Sequence, residues 1–374
     1  MNGKRWMMIV AIPVALAAAV YGTAAWCAWK PRLLHWDLDL TFGGGSIGAE
    51  HAIGFLPGGK TLLTASEDER IRLWDVHKAR LLRTITLTKP GSPGGSHWAG
   101  RPLAVSPNGR TVVTGYSTSS LDVLSAWDAE TGALKWSVPR ACWSAVFSPD
   151  SETLACVEIR KDPQISGSRV VLLNAATGTA RRAQVTLPSI ARAVAFSPDG
   201  KTLATAGEYP AAQHNGAYRA GKGDVRLWSV GDGKLLRSLP ELPGNPSAVV
   251  FSPDGKTLAL GGPTAVTVWD LASGQRLHRL RAMVTERHGG EALREVSAHR
   301  LTYSPDGRLL SGAGLRRVYV WEARTGRAVH SLQLLNAPGT MGAPDVGELI
   351  FSPGGDLLAA SSLRVRSVTL WRTE

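Results

Sequence analysis

The chain has 374 residues, of which 44% are hydrophobic and 19% charged, and these proportions exclude a disordered polymer. It carries 41 Gly and 22 Pro residues, as expected of a chain with many turns. The net charge of +12 permits anionic partners, but its cations are scattered without a dense run, so it indicates a solvated basic surface and no nucleic-acid site.

Residues 1–32 differ from the rest of the chain. A stretch without charged residues, 6–29, follows Lys4 and Arg5 and is closed by Lys30. Its 24 residues exceed the about 20 that a membrane-spanning helix needs. Tryptophans occur at both ends of the stretch, where membrane interfaces favour them, at Trp6, Trp26 and Trp29. We therefore predict one N-terminal transmembrane helix that anchors the chain.

A cleaved secretion signal is the alternative for the same segment. Its apolar core would be Met7–Val20, with the small residues Thr23-Ala24-Ala25 before the cut. The apolar stretch continues past that point, which favours the uncleaved anchor. Positive charge before the stretch slightly exceeds positive charge after it, so the positive-inside rule predicts a single-pass membrane protein whose remaining residues lie outside the cytoplasm. Cleavage would instead make the protein secreted.

Residues 248–280 read as four short strands joined by tight turns. Ala248–Ser252 is apolar throughout, and Pro253-Asp254-Gly255 is a turn in which Pro presets φ, Asp bonds the local backbone and Gly takes the left-handed position. Thr257–Leu260 then returns antiparallel. Val266–Trp269 is β-branched and aromatic, and Arg276–Leu280 alternates polar and apolar residues, as a half-exposed outer strand does.

This unit recurs along the chain. The turns are Pro57-Gly58-Gly59, Pro107-Asn108-Gly109, Pro149-Asp150-Ser151, Pro198-Asp199-Gly200, Pro253-Asp254-Gly255, Pro305-Asp306-Gly307 and Pro353-Gly354-Gly355. The third strands end in step, at Trp74-Asp75, Trp127-Asp128, Leu173-Asn174, Trp228-Ser229, Trp269-Asp270, Trp321-Glu322 and Trp371-Arg372. A period of roughly 40 to 55 residues fits the blades of a β-propeller and excludes the shorter helical solenoids.

The last repeat supplies only three strands before the chain ends. Residues 33–42 alternate polar and apolar residues like a strand, so we expect this N-terminal strand to complete blade 7. Such closure removes the exposed sheet edges of a linear array. The prediction is an all-β, seven-bladed propeller over residues 33–374, preceded by the membrane segment 1–32.

The repeats resemble the WD40 family over about residues 33–374. In that family a His before the first strand and an Asp before the Trp strand join a Ser or Thr and the Trp in a buried network. Asp68 matches the Asp position in blade 1, and Asp122 and Asp224 match it loosely, while His97 alone lies near the expected His position. Most blades therefore lack the complete network. The resemblance implies a docking surface and no catalytic site.

Three cysteines do not form a disulfide framework. Cys27 lies in the N-terminal apolar segment. Pairing across the Pro149 turn sets Ala145 opposite Cys156, so a Cys142–Cys156 disulfide would need a diagonal reach. The sequence disfavours this disulfide without deciding the question, and no Cys/His spacing suggests zinc.

Length variation concentrates in the second-to-third and blade-to-blade connections, which emerge on one face of a propeller. Glu208–Gly223 is the longest connection within a blade, and a short helix is expected at Glu291–Ser297. Loops on a rigid scaffold commonly bind partners, and Tyr, Trp and Arg carry much interface energy. The candidate partner-binding residues are Tyr209, His214, Tyr218, Arg219, Lys222, Trp98, Arg101, Arg160, Lys161, Arg287 and Arg294.

The stretch Ala126–Trp136 resembles the tryptophan-docking motif of quinoprotein dehydrogenases, which are also propellers. It matches at Ala126, Asp128, Thr131, Gly132 and Trp136, with a partial echo at Thr177-Gly178. The motif locks neighbouring blades in that family, so it is structural even there. No cofactor-binding constellation, nucleophile motif or phosphate loop accompanies it.

The sequence thus predicts a membrane-anchored scaffold that presents its loop-rich face to a protein or peptide partner. We expect no enzymatic activity, no cofactor, no metal and no nucleic-acid partner, and a monomeric propeller. The alternatives are a secreted quinoprotein-like enzyme or cofactor carrier, and a structural propeller within a larger envelope assembly. The partner's identity, and whether the loop-rich face points toward the membrane, remain open from the sequence.

Overall fold

A computed structural model describes residues 33–34, 50–66, 68–78, 80–87, 101–117, 122–159, 167–209, 213–214, 217–218, 222–240, 245–285, 291–314, 317–333, 346–362 and 367–373. These residues form strands and turns, with no helix among them. The described chain accordingly has no helix of the length and apolar character needed to cross a bilayer. The predicted membrane segment, 1–32, lies outside the described residues.

The strands follow the predicted repeats. The first strand is β1, Leu33–Leu34. Blade 1 contains β2 Glu50–Phe55, β3 Thr61–Ser66, β4 Arg70–Asp75 and β5 Arg80–Thr86. Blade 2 contains β6 Arg101–Val105, β7 Thr111–Ser117, β8 Asp122–Asp128 and β9 Leu134–Val138. Blade 3 contains β10 Ser144–Phe147, β11 Thr153–Ile159, β12 Ser168–Asn174 and β13 Ala180–Leu187.

The remaining blades complete the ring. Blade 4 contains β14 Ile190–Phe196, β15 Thr202–Glu208, β18 Gly223–Ser229 and β19 Leu235–Ser238, with the small hairpin β16 Gln213–His214 and β17 Ala217–Tyr218 between its second and third strands. Blade 5 contains β20 Ala248–Phe251, β21 Thr257–Gly261, β22 Val266–Asp270, β23 Arg276–Thr285 and β24 Glu291–Glu295. Blade 6 contains β25 Arg300–Tyr303, β26 Leu309–Ala313, β27 Arg317–Glu322 and β28 Ala328–Gln333. Blade 7 contains β29 Val346–Phe351, β30 Leu357–Ser362 and β31 Ser367–Arg372.

Each blade is an antiparallel sheet whose strands follow chain order, and the first strands of neighbouring blades contact one another around the ring. The contact between β2 and β29 joins blade 1 to blade 7. β1 pairs with β31, with Leu33 opposite Trp371 and Leu34 opposite Leu370. The predicted seven blades, and their closure by an N-terminal strand, are therefore present.

The expected helix at 291–297 is wrong. Glu291–Glu295 is a strand that pairs with the end of β23, with Arg281 opposite Glu295 and Thr285 opposite Glu291. The long β23 supplies an edge that the returning segment can bond, and a five-residue segment forms a helix poorly in isolation. Blade 5 consequently has five strands.

The first-to-second-strand turns depend on a serine that the sequence repeats. In blade 5 the Ser252 hydroxyl donates to Asp254 (2.6 Å) and accepts the Thr257 amide (2.9 Å). Gly255 completes the turn with φ of 70°. The same serine–amide bond occurs at Ser106, Ser148, Ser197, Ser304 and Ser352. In these tight turns the serine hydroxyl thus takes the place of a backbone carbonyl as the acceptor for an amide.

Apolar side chains pack between blades, not only within them. One core cluster combines Leu63 and Ile71 of blade 1 with Val112 and Trp127 of blade 2. The Trp127 indole is 2% exposed and donates to the Thr114 hydroxyl at 2.8 Å. Because each blade covers its neighbour's apolar face, no single blade has a complete core of its own.

Part of the network expected from the family resemblance is present. Tryptophan indoles donate to threonines of the second strand in blades 1, 2 and 4, from Trp74 to Thr64, Trp127 to Thr114 and Trp228 to Thr205. In blade 4 the Asp224 carboxylate accepts a hydrogen bond from the Ser189 hydroxyl (2.6 Å), a serine in place of the family's histidine. Asp68 instead forms an ion pair with Arg72.

The Ala126–Trp136 motif joins two blades, as its resemblance implies. The Trp136 indole of blade 2 donates to the Ala175 carbonyl of blade 3 at 2.8 Å. Its ring lies against Gly178, where an added Cβ would come within 2.7 Å of ring carbons. His278 makes the same contact between blades 5 and 6, with the Arg324 carbonyl and Gly326. We call such a contact an interblade latch.

Candidate partner-binding face

The two faces of the ring differ because the chain alternates direction through each blade. The turn face carries the first-to-second and third-to-fourth turns. The loop face carries the second-to-third and blade-to-blade connections, including nearly all of the length variation. Lowered carboxyl pKa values occur on the turn face, as at Asp199 and Asp254, where the neighbouring serine hydroxyl is the largest cause. Those carboxylates therefore stabilise turns.

Two predicted residues meet at the base of the blade 4 loop. The Tyr209 amide donates to the Lys222 carbonyl at 3.0 Å, which closes the loop stem. The Tyr209 hydroxyl accepts a hydrogen bond from Arg226 at 2.6 Å, and Arg226 also donates to Asp224 at 3.0 Å. Tyr209 is half-buried and Lys222 is exposed. Tyr209 therefore holds the stem of the loop in place and is also part of the loop's surface.

The other predicted residues that the structure describes come from blades 2, 4 and 5. The backbone of His214 and Tyr218 belongs to the β16–β17 hairpin, with His214 opposite Ala217 and Gln213 opposite Tyr218. Arg101 begins β6 opposite Gly115, and Arg294 is exposed on β24. Trp98, Arg160, Lys161, Arg219 and Arg287 lie outside the described residues. Tyr209 and Lys222 thus meet at the loop stem, whereas Arg101 lies on blade 2 and Arg294 on blade 5.

A cavity of about 870 Å³ lies among the first strands, along the axis of the ring. Its lining includes residues from blades 2 to 7. Five of them form what we call the channel mouth: Leu103, Trp143, Arg192, Arg300 and Glu348. Each lies at or near the start of a first strand, which enters the ring from the loop face. None of these five residues was predicted as a contact residue from the sequence.

Irregular strand pairing directs three of these residues into the channel. The register of β6 with β7 shifts at Leu103, that of β14 with β15 at Arg192, and that of β29 with β30 at Gly347–Glu348. A bulge re-aims the side chain of its extra residue and commonly adjoins a functional site. A polar residue inside an otherwise apolar first strand, such as Arg192, is the sequence signal that could have found the mouth.

The charged groups of the mouth are held by neighbours. Arg192 donates to Glu208 (3.2 Å from Nε), and its side chain remains 45% exposed. Arg300 donates to the Gly347 and His299 carbonyls, with Glu348 4.0 Å away. Exposed ion pairs are worth about 0–1 kcal/mol, so a partner's carboxylate can compete for either guanidinium.

Trp143 is the large aromatic group of the mouth, and it is 48% exposed. Three attachments to β11 fix the segment that contains Trp143. Arg140 pairs with Glu158, Cys142 forms a disulfide with Cys156, and the Trp143 amide donates to the Val157 carbonyl at 2.9 Å. The indole is therefore presented on an ordered backbone, which lowers the entropic cost of binding.

The disfavoured disulfide is present, which corrects the sequence interpretation. Ala145 is opposite Cys156, as predicted from the turn. The connection before β10 leaves this register, because the Trp143 amide donates to the Val157 carbonyl although Ser144 is the residue opposite Val157. The Cα atoms of Cys142 and Cys156 are 5.7 Å apart. This separation is ordinary for a disulfide. A strand register alone could not reveal how the preceding connection runs.

Metal-dependent chemistry has no donor set in the part of the chain that the structure covers, where no group of three or more His, Cys, Asp and Glu side chains converges. The mouth offers an exposed indole, the apolar side chain of Leu103, two guanidinium groups and the Glu348 carboxylate. This arrangement suits recognition of a peptide segment that carries apolar and acidic side chains.

Comparisons with known proteins give one family and several partial relatives. Residues 47–75 match the model of the family "WD domain, G-beta repeat". The chain is 27% identical over 183 residues to the periodic tryptophan protein 2 homolog of Dictyostelium discoideum, covering 48% of this chain and 16% of that protein. It is 29% identical over 154 residues to transducin beta-like protein 3 of Bos taurus, covering 41% of this chain and 18% of that protein.

A third relative is the small ribosomal subunit protein RACK1y of Oryza sativa subsp. japonica. It is 30% identical over 110 residues, which are 29% of each chain. The matched regions thus span less than a third of each relative's length. These relatives support the repeat and its fold. What their names say they assemble with is a property of those proteins.

Proposed function

We propose that the chain, a seven-bladed propeller whose residues 47–75 match the WD40 repeat, is a monomeric protein-interaction scaffold without catalytic activity. We infer that it binds a protein or peptide segment at the channel mouth. The supporting observation is the set of bulges that direct Leu103, Arg192 and Glu348 into the channel beside the exposed Trp143. Trp143 and Leu103 would contact apolar side chains of the partner, and Arg192 and Arg300 its carboxylates. The blade 4 loop would extend this contact.

Affinity capture of the full chain from gently solubilised membranes tests this proposal. Trp143→Ala should weaken partner binding by about 2 kcal/mol, or roughly 30-fold, as truncation of a central aromatic group does. Leu293→Ala is the matched control, because Leu293 is 54% exposed on β24, away from the mouth. Equal recovery of every partner by the two variants would contradict the proposal.

Replacing residues 210–221 by a short Gly-containing turn separates the blade 4 loop from the mouth, because it keeps Glu208 and its bond to Arg192. Loss of partners from the loop replacement but not from Trp143→Ala would move the binding site to the loop. Loss from both would make the two surfaces one interface. Retention by both variants would overturn the site and leave only the scaffold fold.

We further infer that residues 6–29 anchor the protein in a membrane and that the propeller lies outside the cytoplasm. The Cys142–Cys156 disulfide supports this location, because such bonds persist in oxidising compartments and are rare in the cytosol. In cells, both cysteines should react with a thiol reagent only after reduction. A membrane-extracted protein with an intact N-terminus would support the anchor, whereas a soluble form cut after Ala25 would replace it by a secretion signal.

A further inference from the structure

The described surface has large exposed apolar side chains in an uneven distribution. Of the seven that are exposed, five are leucines at the turn-face ends of outer strands, and the other two, Trp143 and Leu293, lie toward the loop face. The five leucines are Leu81, Leu82, Leu235, Leu236 and Leu277, with exposures of 40 to 58%. The leucines occupy equivalent positions, just after the third-to-fourth turn in blades 1, 4 and 5, so they share one edge of the ring.

Cations flank each group of leucines. Arg80 and Arg83 enclose the blade 1 pair, Lys234 precedes the blade 4 pair, and Arg276 precedes Leu277 of blade 5. All four of these cationic side chains are exposed. Leucine beside a long cationic side chain suits an anionic lipid surface, because the apolar part enters the interface while the charge stays among head groups.

The acidic residues of the same turns are directed back into their own backbone. The Asp75 carboxylate accepts the His77 and Lys78 amides (3.0 and 2.9 Å), and the Asp270 carboxylate accepts the Ser273 amide (2.7 Å). Asp232 accepts the Lys234 amide at 3.2 Å, and its other oxygen lies 3.2 Å from the Lys234 ammonium. These carboxylates offset part of the positive charge of the same turns.

Strand direction brings the N-terminal segment to this same face. β31 ends at the turn face, since its residue Arg372 is opposite Leu357, the first residue after the blade 7 turn. β1 is antiparallel to it, and Leu33 is opposite Trp371. The chain therefore enters β1 from the turn face, with only residues 30–32 between the uncharged stretch and the strand.

We propose that the turn-face rim, defined by these five leucines and the cations beside them, rests on an anionic lipid bilayer, so that the loop face points away from the membrane. The position of the bilayer at the turn face rests on the proposed function, in which residues 6–29 anchor the protein in the membrane. The rim itself rests on side chains of the propeller, so the two can fail separately. The channel mouth then faces soluble partners or the domains of other membrane proteins.

Fluorescence quenching in reconstituted vesicles tests this orientation. The full chain with Cys27→Ser would carry one fluorophore, either at Ala272→Cys on the turn face or at Thr264→Cys on the loop face of the same blade. The vesicles would contain phosphatidylcholine, phosphatidylglycerol and a lipid with a nitroxide on its head group. The fluorophore at 272 should be quenched and the one at 264 should not. Equal quenching, or stronger quenching at 264, would overturn the proposal.

Variants that add a negative charge or remove a positive one test the rim directly. Leu236→Glu with Leu277→Glu should relieve the quenching at 272, whereas Leu293→Glu, an equally exposed leucine on the loop side, should leave it unchanged. Arg276→Gln should weaken the preference for anionic over zwitterionic vesicles by about fivefold, the effect of one surface cation. Unchanged quenching in the double variant, with native thermal unfolding, would overturn the rim.

Flotation separates failure of the rim from failure of the anchor. An anchored chain resists alkaline carbonate extraction from phosphatidylcholine vesicles, whatever the rim does. A chain that is extracted, but floats with vesicles containing phosphatidylglycerol, would disprove the anchor and support the rim. A chain that floats with neither kind of vesicle would disprove both.

Discussion

At the residue scale, the first turn of blade 4 depends on one buried hydroxyl. Ser197 is 6% exposed and accepts the Thr202 amide at 2.9 Å. Ser197→Ala should lower the free energy of unfolding by about 1 kcal/mol, because it leaves that partly buried amide without its partner. Urea denaturation measures the change, and an unaltered midpoint would show that the backbone holds the turn without the serine.

Through its effect on Asp199, Ser197 should also make the stability of blade 4 depend on pH in the acid range. The pKa of Asp199 is lowered from its ordinary value of 3.8, first by the Ser197 hydroxyl and then by the Lys201 amide. A carboxyl of this kind contributes stability that is complete above its unfolded pKa and is lost as the pH falls through the folded value. Ser197→Ala should therefore flatten the loss of stability below about pH 4.

Blade 2 supplies the matched control for this pH effect. Its turn has the neutral Asn108 in place of the aspartate, and Ser106 accepts the Thr111 amide at 2.9 Å. Ser106→Ala should cost a similar free energy of unfolding without changing the acid dependence. Equal flattening in both variants would show that Asp199 is not the titrating group.

Gly178 should tolerate substitution less well than Gly200, which also has a positive φ. Its φ is 71°, and an added Cβ would come within 2.7 Å of the Trp136 ring. Gly178→Ala should cost about 2–4 kcal/mol, from backbone strain and the displaced indole. Gly200 has φ of 69° and no neighbour closer than 3.8 Å, so Gly200→Ala should cost only about 1 kcal/mol. Equal costs in thermal unfolding would show that the latch contributes nothing.

At the element scale, the first strands show where prediction from sequence succeeds and where it stops. The apolar run of β20 and its Pro253-Asp254-Gly255 turn repeat a local pattern, so the strands and their order were predictable. Arg192 enters the channel because β14 bulges against β15, and Trp143 is fixed by a disulfide to a neighbouring strand. Both features arise from pairing between segments, which residue order alone does not specify. The predicted blade 4 residues remain a prediction.

The connection before β10 should lose its fixed position when its disulfide is removed. Cys142→Ala with Cys156→Ala opens a link of sequence separation 14, which the chain-entropy model values at about 3 kcal/mol. Urea denaturation of this variant should match that of the reduced wild-type chain, while Cys27→Ala should have no effect. If reduction leaves the stability unchanged, the hydrogen bond of Trp143 and the Arg140–Glu158 pair suffice to order the segment.

At the scale of the whole molecule, the ring is closed by a strand remote in sequence from the blade it completes. β1 pairs with β31, and β2 contacts both β29 and β30, so blades 7 and 1 depend on this closure. Leu34→Pro removes a backbone donor and restricts φ, which should detach β1. Leu236→Pro is the control. It disturbs the outer strand of blade 4, which follows the other strands of its own blade directly in the chain.

Hydrogen exchange distinguishes ring opening from local fraying. With Leu34→Pro, protection should fall in β31 and also in β2 and β29, since opening one blade junction exposes the apolar faces on both sides of it. With Leu236→Pro, the loss should stay within blade 4. If Leu34→Pro altered only β31, β1 would be an edge strand without a closing function, and the packing of β2 against blade 7 would hold the ring.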